Sequence, residues 1–158
     1  MITQAEYQQH YFWMQKAIAL GKVAGQSGEI PVGAIVVDGQ NQILAQSGNR
    51  KEKTQDPTAH AELMAIRAAS QIRQDWHLQD CTLYVTLEPC PMCTGAIIHS
   101  RLKQVVYGAD DPKTGSLRSV ANFPDALFSN HSFPVIGGIA TVECRRLLQD
   151  WFQRNRRP

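Results

Sequence analysis

The stretch from Thr82 to Tyr107 restricts the fold more than any other part of the chain. It reads as strand, helix, strand: TLYVT at Thr82 to Thr86, a helix from Pro89 to His99, and a second strand at Val105 to Tyr107. Such a β, α, β alternation predicts an α/β architecture with neighbouring parallel strands. The other segments fit around that unit. Thr3 followed by Glu6 reads as a capping box, and Tyr7, Tyr11, Met14 and Ile18 recur at helical spacing up to the glycines around Gly25 to Gly28, which predicts an N-terminal helix. Val32 to Val37, the Asp38-Gly39 turn and Ile43 to Gln46 predict a β-hairpin. Asp56-Pro57 supplies an N-cap and a first-turn proline for a helix through HAELMAIRAASQIR. The weakly patterned stretch from Asp110 to Asn130 reads as turns with room for a short helix, and Val135 to Ile139, broken by Gly137-Gly138, as an edge strand. Cys144, Leu147, Leu148 and Trp151 follow the i, i+3, i+4, i+7 pattern, so a C-terminal helix at about 141–157 has one apolar face and carries its arginines largely elsewhere.

With 158 residues against the roughly 150 of a typical domain, residues 1–158 are expected to form a single domain. The 43% hydrophobic and 19% charged content excludes disordered, collagenous and coiled-coil classes. Apolar runs such as Ala34 to Val37 fall far short of the roughly 18 residues that cross a bilayer, so no membrane span is expected. The start, MITQAEYQQHYFWMQK, shows no basic cluster followed by an apolar run, and a cytoplasmic location is the expectation. Four cysteines in that setting point to metal binding or buried thiols and away from a disulfide framework. The net charge of +2 is uneven: residues 145–158 hold five arginines against one aspartate, leaving a net −2 on the rest of the chain. An Arg-rich tail suits an anionic partner such as nucleic acid, and on charge alone it equally suits a solvated helix face.

The chemistry is carried by His60 and Glu62 in TAHAE and by Cys90 and Cys93 in LEPCPMC. Zinc takes imidazole nitrogen and thiolate sulfur, and a catalytic zinc keeps three protein ligands with a fourth position open. His60, Cys90 and Cys93 make three, with no obvious fourth. Cys90 and Cys93, three apart at a helix start, share one side of the helix, and the helix N-terminus favours their thiolates. His60 and Glu62 are two apart and reach one site only near a helix end, so two helix N-termini are expected to meet at the metal. A lone C-x-x-C also suits a redox pair or half of a structural zinc knuckle, but no second C-x-x-C or H-x-x-x-H follows. Cys81 and Cys144 read as core thiols, and His10, His77, His99 and His131 lack partners at ligand spacing. H-x-E followed by P-C-x-x-C is the known signature of zinc deaminases, a match of pattern. Its logic is physical: zinc lowers the pKa of a bound water toward neutrality, but an amine leaves a ring carbon only if a proton reaches it, and Glu62 is the available shuttle.

Over most of its length the chain resembles the tRNA-specific adenosine deaminase family. The carriers are EIPVGAIVV at Glu29 to Val37, GNR at Gly48 to Arg50, DPTAHAE at Asp56 to Glu62, TLYVTLEPCPMCTGAIIHSR at Thr82 to Arg101 and VVYGADDPKTG at Val105 to Gly115. The resemblance implies a three-layer α/β/α sandwich around a five-stranded mixed sheet, the cytidine deaminase-like fold. It implies one zinc ion per subunit on His60, Cys90 and Cys93, with Glu62 as proton donor and acceptor. Asn49 would hydrogen-bond the flipped base, and Asp111 and Lys113 would lie beside the flanking nucleotides. Phe152, Arg154, Arg156 and Arg157 would lie near the RNA loop, with Trp151 packed into the body. Asp110 stands where some relatives carry a basic residue, which leaves the tail arginines to supply charge. The implied activity is hydrolytic deamination of the wobble adenosine of a tRNA anticodon loop to inosine, in a homodimer whose RNA site draws on both chains. A base in a single-stranded loop is splayed into a pocket at little unstacking cost. DPTAHAE also resembles free-guanine deaminases, so a free-base or nucleotide deaminase of guanine or cytosine type is the alternative enzyme. A zinc-stabilised RNA-binding module without turnover is the non-enzymatic one.

Overall fold

The computed structural model describes residues 1 to 156. In chain order the elements are α1 (Gln4–Gln26), β1 (Gly33–Val37), β2 (Ile43–Gly48), α2 (Lys51–Thr54), α3 (Ala61–Arg73), β3 (Thr82–Leu87), α4 (Pro91–His99), β4 (Gln104–Ala109), β5 (Val135–Ile136) and α5 (Thr141–Arg154). The five strands form one sheet in the order β2-β1-β3-β4-β5. β1 runs antiparallel to β2 and β3, whereas β3, β4 and β5 are parallel, so the sheet is mixed.

Successive strand side chains alternate between faces, and here both faces are covered. Ala34 and Val36 of β1, Leu83 and Val85 of β3 and Val105 and Tyr107 of β4 share a core with Ala61, Ala65, Ile66 and Ala69 of α3 and Ile97 and Ile98 of α4. Ile35, Val37, Tyr84 and Val106 join a second core with Trp13, Met14, Ala17 and Ile18 of α1 and Cys144 of α5. The result is three layers, helix on sheet on helix. Burial on both faces explains why β1 reads as an unbroken apolar run, and why β3 and β4 have continuous apolar centres at Leu83 to Val85 and Val105 to Tyr107, in place of an alternating pattern.

On the α1/α5 face, α5 approaches the sheet closely at a glycine. A Cβ on Gly108 of β4 would lie 2.3 Å from Cys144 Sγ and 2.7 Å from Thr86 O. Gly108→Ala is therefore expected to destabilise the fold by about 1–3 kcal/mol, the usual penalty of overpacking. Adding Cys144→Ala should restore part of the loss, because the nearest clash is removed while that with Thr86 stays. Thermal unfolding of the two variants checks this, and a Gly108→Ala midpoint equal to that of the parent contradicts it.

Several expected boundaries shift for local reasons. The capping box at Thr3 and Glu6 forms and starts α1. Asp56 does not cap α3: its carboxylate accepts from Thr58 N at 2.8 Å and Thr58 Oγ1 at 2.7 Å, making a turn, and His60 becomes the N-cap residue. No helix forms between Asp110 and Asn130, which is turn and bend. The edge strand stops at Ile136, where Gly137 packs on the Tyr107 ring and Gly138 turns at a φ of 86°. α5 ends at Arg154 and not near 157: Asn155 leaves helical geometry at a φ of −111° and is the C-cap residue, its backbone N–H and side-chain amide both donating to Trp151 O; Arg157 lies outside the described residues. Among the described residues no helix is long and apolar enough to cross a membrane.

Candidate metal centre and active site

Two helix N-termini meet on the α3/α4 side of the sheet. His60, in extended conformation, is the N-cap residue of α3, and Glu62 sits in its first turn. Cys90 is the N-cap residue of α4, followed by Pro91 in the first helical position, with Cys93 one turn on. His60 Nδ1 lies 3.6 Å from Cys90 Sγ and 3.5 Å from Cys93 Sγ. A tetrahedral zinc with bonds of about 2.3 Å to sulfur and 2.0–2.1 Å to nitrogen sets those ligand atoms about 3.6 Å apart. The three donors, the one cluster of potential metal ligands among the described residues, fit zinc in both chemistry and spacing.

The electrostatics favour a cation there. Hydrogen bonds from Cys93 and then His60 bring the Cys90 thiol down to about 4 despite its burial. Cys93 moves the opposite way, raised by the neighbouring Cys90, by burial and by Glu62. His60 is raised, first through its hydrogen bond to Cys90. One dication lets both sulfurs be thiolates and removes the conflict. Glu62 is 4% exposed, and burial pushes its carboxyl up to about 7.

A cavity of about 170 Å³ opens onto these groups, with Asn49, His60, Glu62, Leu87, Cys90 and Asp111 in its walls. Asn49 is tied into the framework: its Nδ2 donates to Ile30 O at 3.1 Å and its Oδ1 accepts from Ala61 N at 2.8 Å, which caps α3. One of its two amide hydrogens is left for a ligand. Asp111 spends its carboxylate on its own turn, accepting from Lys113 N, Thr114 N and Thr114 Oγ1. Lys113 is exposed outside the cavity wall. Phe152 and Arg154 belong to α5 on the other face of the sheet. Phe152 is half exposed and packs edge-on to Trp151, whose Nε1 donates to Gly25 O, and Arg154 lines a groove between α1 and α5. The structure thus brings His60, Glu62, Cys90, Cys93, Asn49 and Asp111 together and leaves Lys113, Phe152 and Arg154 apart from them.

Two buried acids escaped the sequence reading. Glu29, 2% exposed, accepts from Glu52 N at 3.0 Å and Lys53 N at 2.9 Å and so fixes α2, whose Lys51 reaches the cavity wall. Glu88, 1% exposed, gathers the loop after β4. An acid inside an apolar run, as in VTLEPC, is the signal that could have revealed Glu88.

A mixed sheet carrying an imidazole and two thiolates at zinc spacing, with a buried carboxylate opening on the same cavity, defines a zinc-dependent deaminase. Residues 7–109 match the cytidine and deoxycytidylate deaminase zinc-binding region. A tRNA-specific adenosine deaminase of Haemophilus influenzae is 45% identical over 90% of this chain and 83% of its own length. One of Bacillus subtilis is 40% identical over 94% and 92%. A solved structure from work on A-to-I editing by tRNA:A34 deaminases at the wobble position superposes with a TM-score of 0.83 at 38% identity, covering 85% of this chain and 97% of that one. The chain belongs to the tRNA-specific adenosine deaminase family.

Proposed function

We propose that residues 1–158 form one deaminase domain that hydrolytically converts adenosine at wobble position 34 of a tRNA anticodon loop to inosine. The observation that carries this reading is the joint opening of the metal donors and Glu62 on one cavity, in a chain 45% identical to a tRNA-specific adenosine deaminase. His60, Cys90 and Cys93 hold zinc, which when bound supplies a water acidic enough to attack at neutral pH. Glu62 carries one proton of the attacking water to the ring nitrogen beside the attacked carbon, then takes the second from the hydroxyl left on that carbon and delivers it to the amine, which departs as ammonia as the C–N bond breaks and the carbonyl forms. Asn49 offers its free amide hydrogen to the flipped base. Asp111 and Lys113 face the flanking nucleotides, while Phe152, Arg154 and the tail arginines meet RNA beyond the cavity. The working form is a cytoplasmic homodimer in which both copies contribute to the RNA surface.

Incubation with total tRNA and, separately, with free guanine, cytosine, cytidine and adenosine tests the substrate assignment. Inosine in tRNA is the expected product, and ammonia from a free base alone would overturn it. Removing residues 154–158 should weaken tRNA binding and flatten its salt dependence, since each lost phosphate contact lowers the slope of log affinity against log salt by about 0.7–0.9, while zinc content stays constant. A truncated protein that keeps the parent's affinity at every salt concentration would take the tail out of the RNA site.

A further inference from the structure

Glu88 lies between the end of β3 and Cys90, is 1% exposed, and has no ion-pair partner among the described residues. Its carboxylate instead accepts from one loop. Asp111 N donates to Oε1 at 3.2 Å; Leu117 N, Arg118 N and Ser119 N donate to Oε2 at 3.2, 2.8 and 3.0 Å; and Ser119 Oγ donates to Oε1. A carboxylate offers about four acceptor positions and no donor, which suits a ring of N–H groups. Gly115 makes the approach possible, since a Cβ there would lie 2.5 Å from the carboxyl group. The neighbouring backbone adds two ties, Glu88 N to Ala109 O at 2.9 Å and Ser116 N to Pro89 O at 3.0 Å. The same loop contributes Asp111 and Thr114 to the cavity that His60, Glu62 and Glu88 itself also line.

We propose that Glu88 is a positioning residue for substrate recognition, its carboxylate fixing the Asp111–Ser119 loop at the distance from the metal centre that the bound nucleotide requires. The energetic sense is that a buried acid without a cation persists only where several hydrogen bonds replace its hydration. It acts on binding, because His60 and Glu62 are carried by the start of α3 and Cys90 and Cys93 by the start of α4, whereas the side-chain hydrogen bonds of Glu88 all go to the Asp111–Ser119 loop. The kinetic part rests on the proposed tRNA deamination; the structural part does not.

The test uses zinc-loaded Glu88→Gln and Glu88→Asp proteins. Glutamine presents an NH2 where backbone N–H groups point. Amides of Asp111, Leu117, Arg118 and Ser119 are therefore expected to exchange with deuterium at least about tenfold faster, with those of Ala61 to Met64 unchanged. Zinc per chain stays the same, and KM for an anticodon stem-loop rises about tenfold or more while kcat moves less than about threefold. Glu88→Asp, which keeps the charge on a shorter arm, shifts both readouts in the same sense by less. Unaltered exchange at those amides, or an equal fall in kcat with unchanged KM, overturns the assignment. Should Glu88→Gln fail to fold, Gly115→Ala pushes the loop off the same carboxylate and must give the same pattern. A parent protein inactive on the stem-loop would refute the tRNA reading alone, since the exchange result still decides the clamp.

Discussion

Replacing Glu62 with glutamine is expected to abolish deamination while leaving a folded protein that still binds zinc. The two side chains have nearly the same shape, so the buried position at the start of α3 is refilled without a cavity, and His60, Cys90 and Cys93 keep their places. What disappears is a group able to accept a proton and return it. Positioned acid–base catalysis contributes about 10²–10⁴-fold, and here one carboxylate serves attack, ring protonation and departure of ammonia, so a loss at the upper end of that range is expected. Single-turnover deamination of a stem-loop together with zinc per chain makes the measurement. A variant within about tenfold of the parent rate would remove Glu62 from the chemistry. The pH profile tests the same role. Burial, only partly offset by the hydrogen bond with Cys93 and by His60, pushes the Glu62 carboxyl up to about 7. A dication beside it stabilises the carboxylate and moves that value down. Because the base must be ionised to accept a proton, kcat/KM should fall on acidification along a limb below pH 7 and be flat just above it. A rate that instead rises on acidification would contradict the assignment.

Legibility in the sequence followed the range of the interaction. The β3-α4-β4 unit could be read because burial on both sheet faces writes itself as local apolar runs, and the capping box at Thr3 because its two hydrogen bonds span three residues. The metal donors could be read because each lies within a few residues of a helix start, and helix starts have local chemistry. Asp56-Pro57 misled by the same token: it carries N-cap chemistry, but Thr58 captures the carboxylate and the helix begins four residues later than the proline. The four-residue α2 is too short to show a period, and it stands because Glu29, more than twenty residues away, accepts from its backbone. The Asp111–Ser119 loop has no regular pattern at all; it is ordered by a carboxylate on β3's exit. The base contact of Asn49 comes from the family resemblance alone, and what no local pattern shows is that its carbonyl also accepts from the first amide of α3. The family resemblance alone puts Phe152 and Arg154 near RNA, and nothing local in the sequence shows that α5 packs on the face away from the metal donors.

Cys93→Ala is expected to empty the zinc site and with it all activity, a loss unlike that of Glu62→Gln because the metal goes too. Cys93 is fully buried beneath the cavity, so no outside ligand replaces its sulfur, and two remaining donors do not make a zinc site of the three-ligand kind. Elemental analysis should fall from about one zinc per chain toward zero. The effect carries into stability, since an ion that binds only the native state stabilises it by an amount growing with free metal over Kd, about 2.7 kcal/mol at a hundredfold excess. A chelator should therefore lower the unfolding midpoint of the parent protein and leave that of Cys93→Ala unmoved, because the variant has no bound metal to lose. The other two thiols supply the control. Burial raises Cys81 to about 11 and Cys144 to about 12, so neither is a thiolate near neutrality, and alanine at either position should leave zinc content intact. Full zinc occupancy in Cys93→Ala, or a chelator-sensitive midpoint in that variant, would show that the ion is held elsewhere, and the alignment of Glu62 with a metal-activated water would go with it.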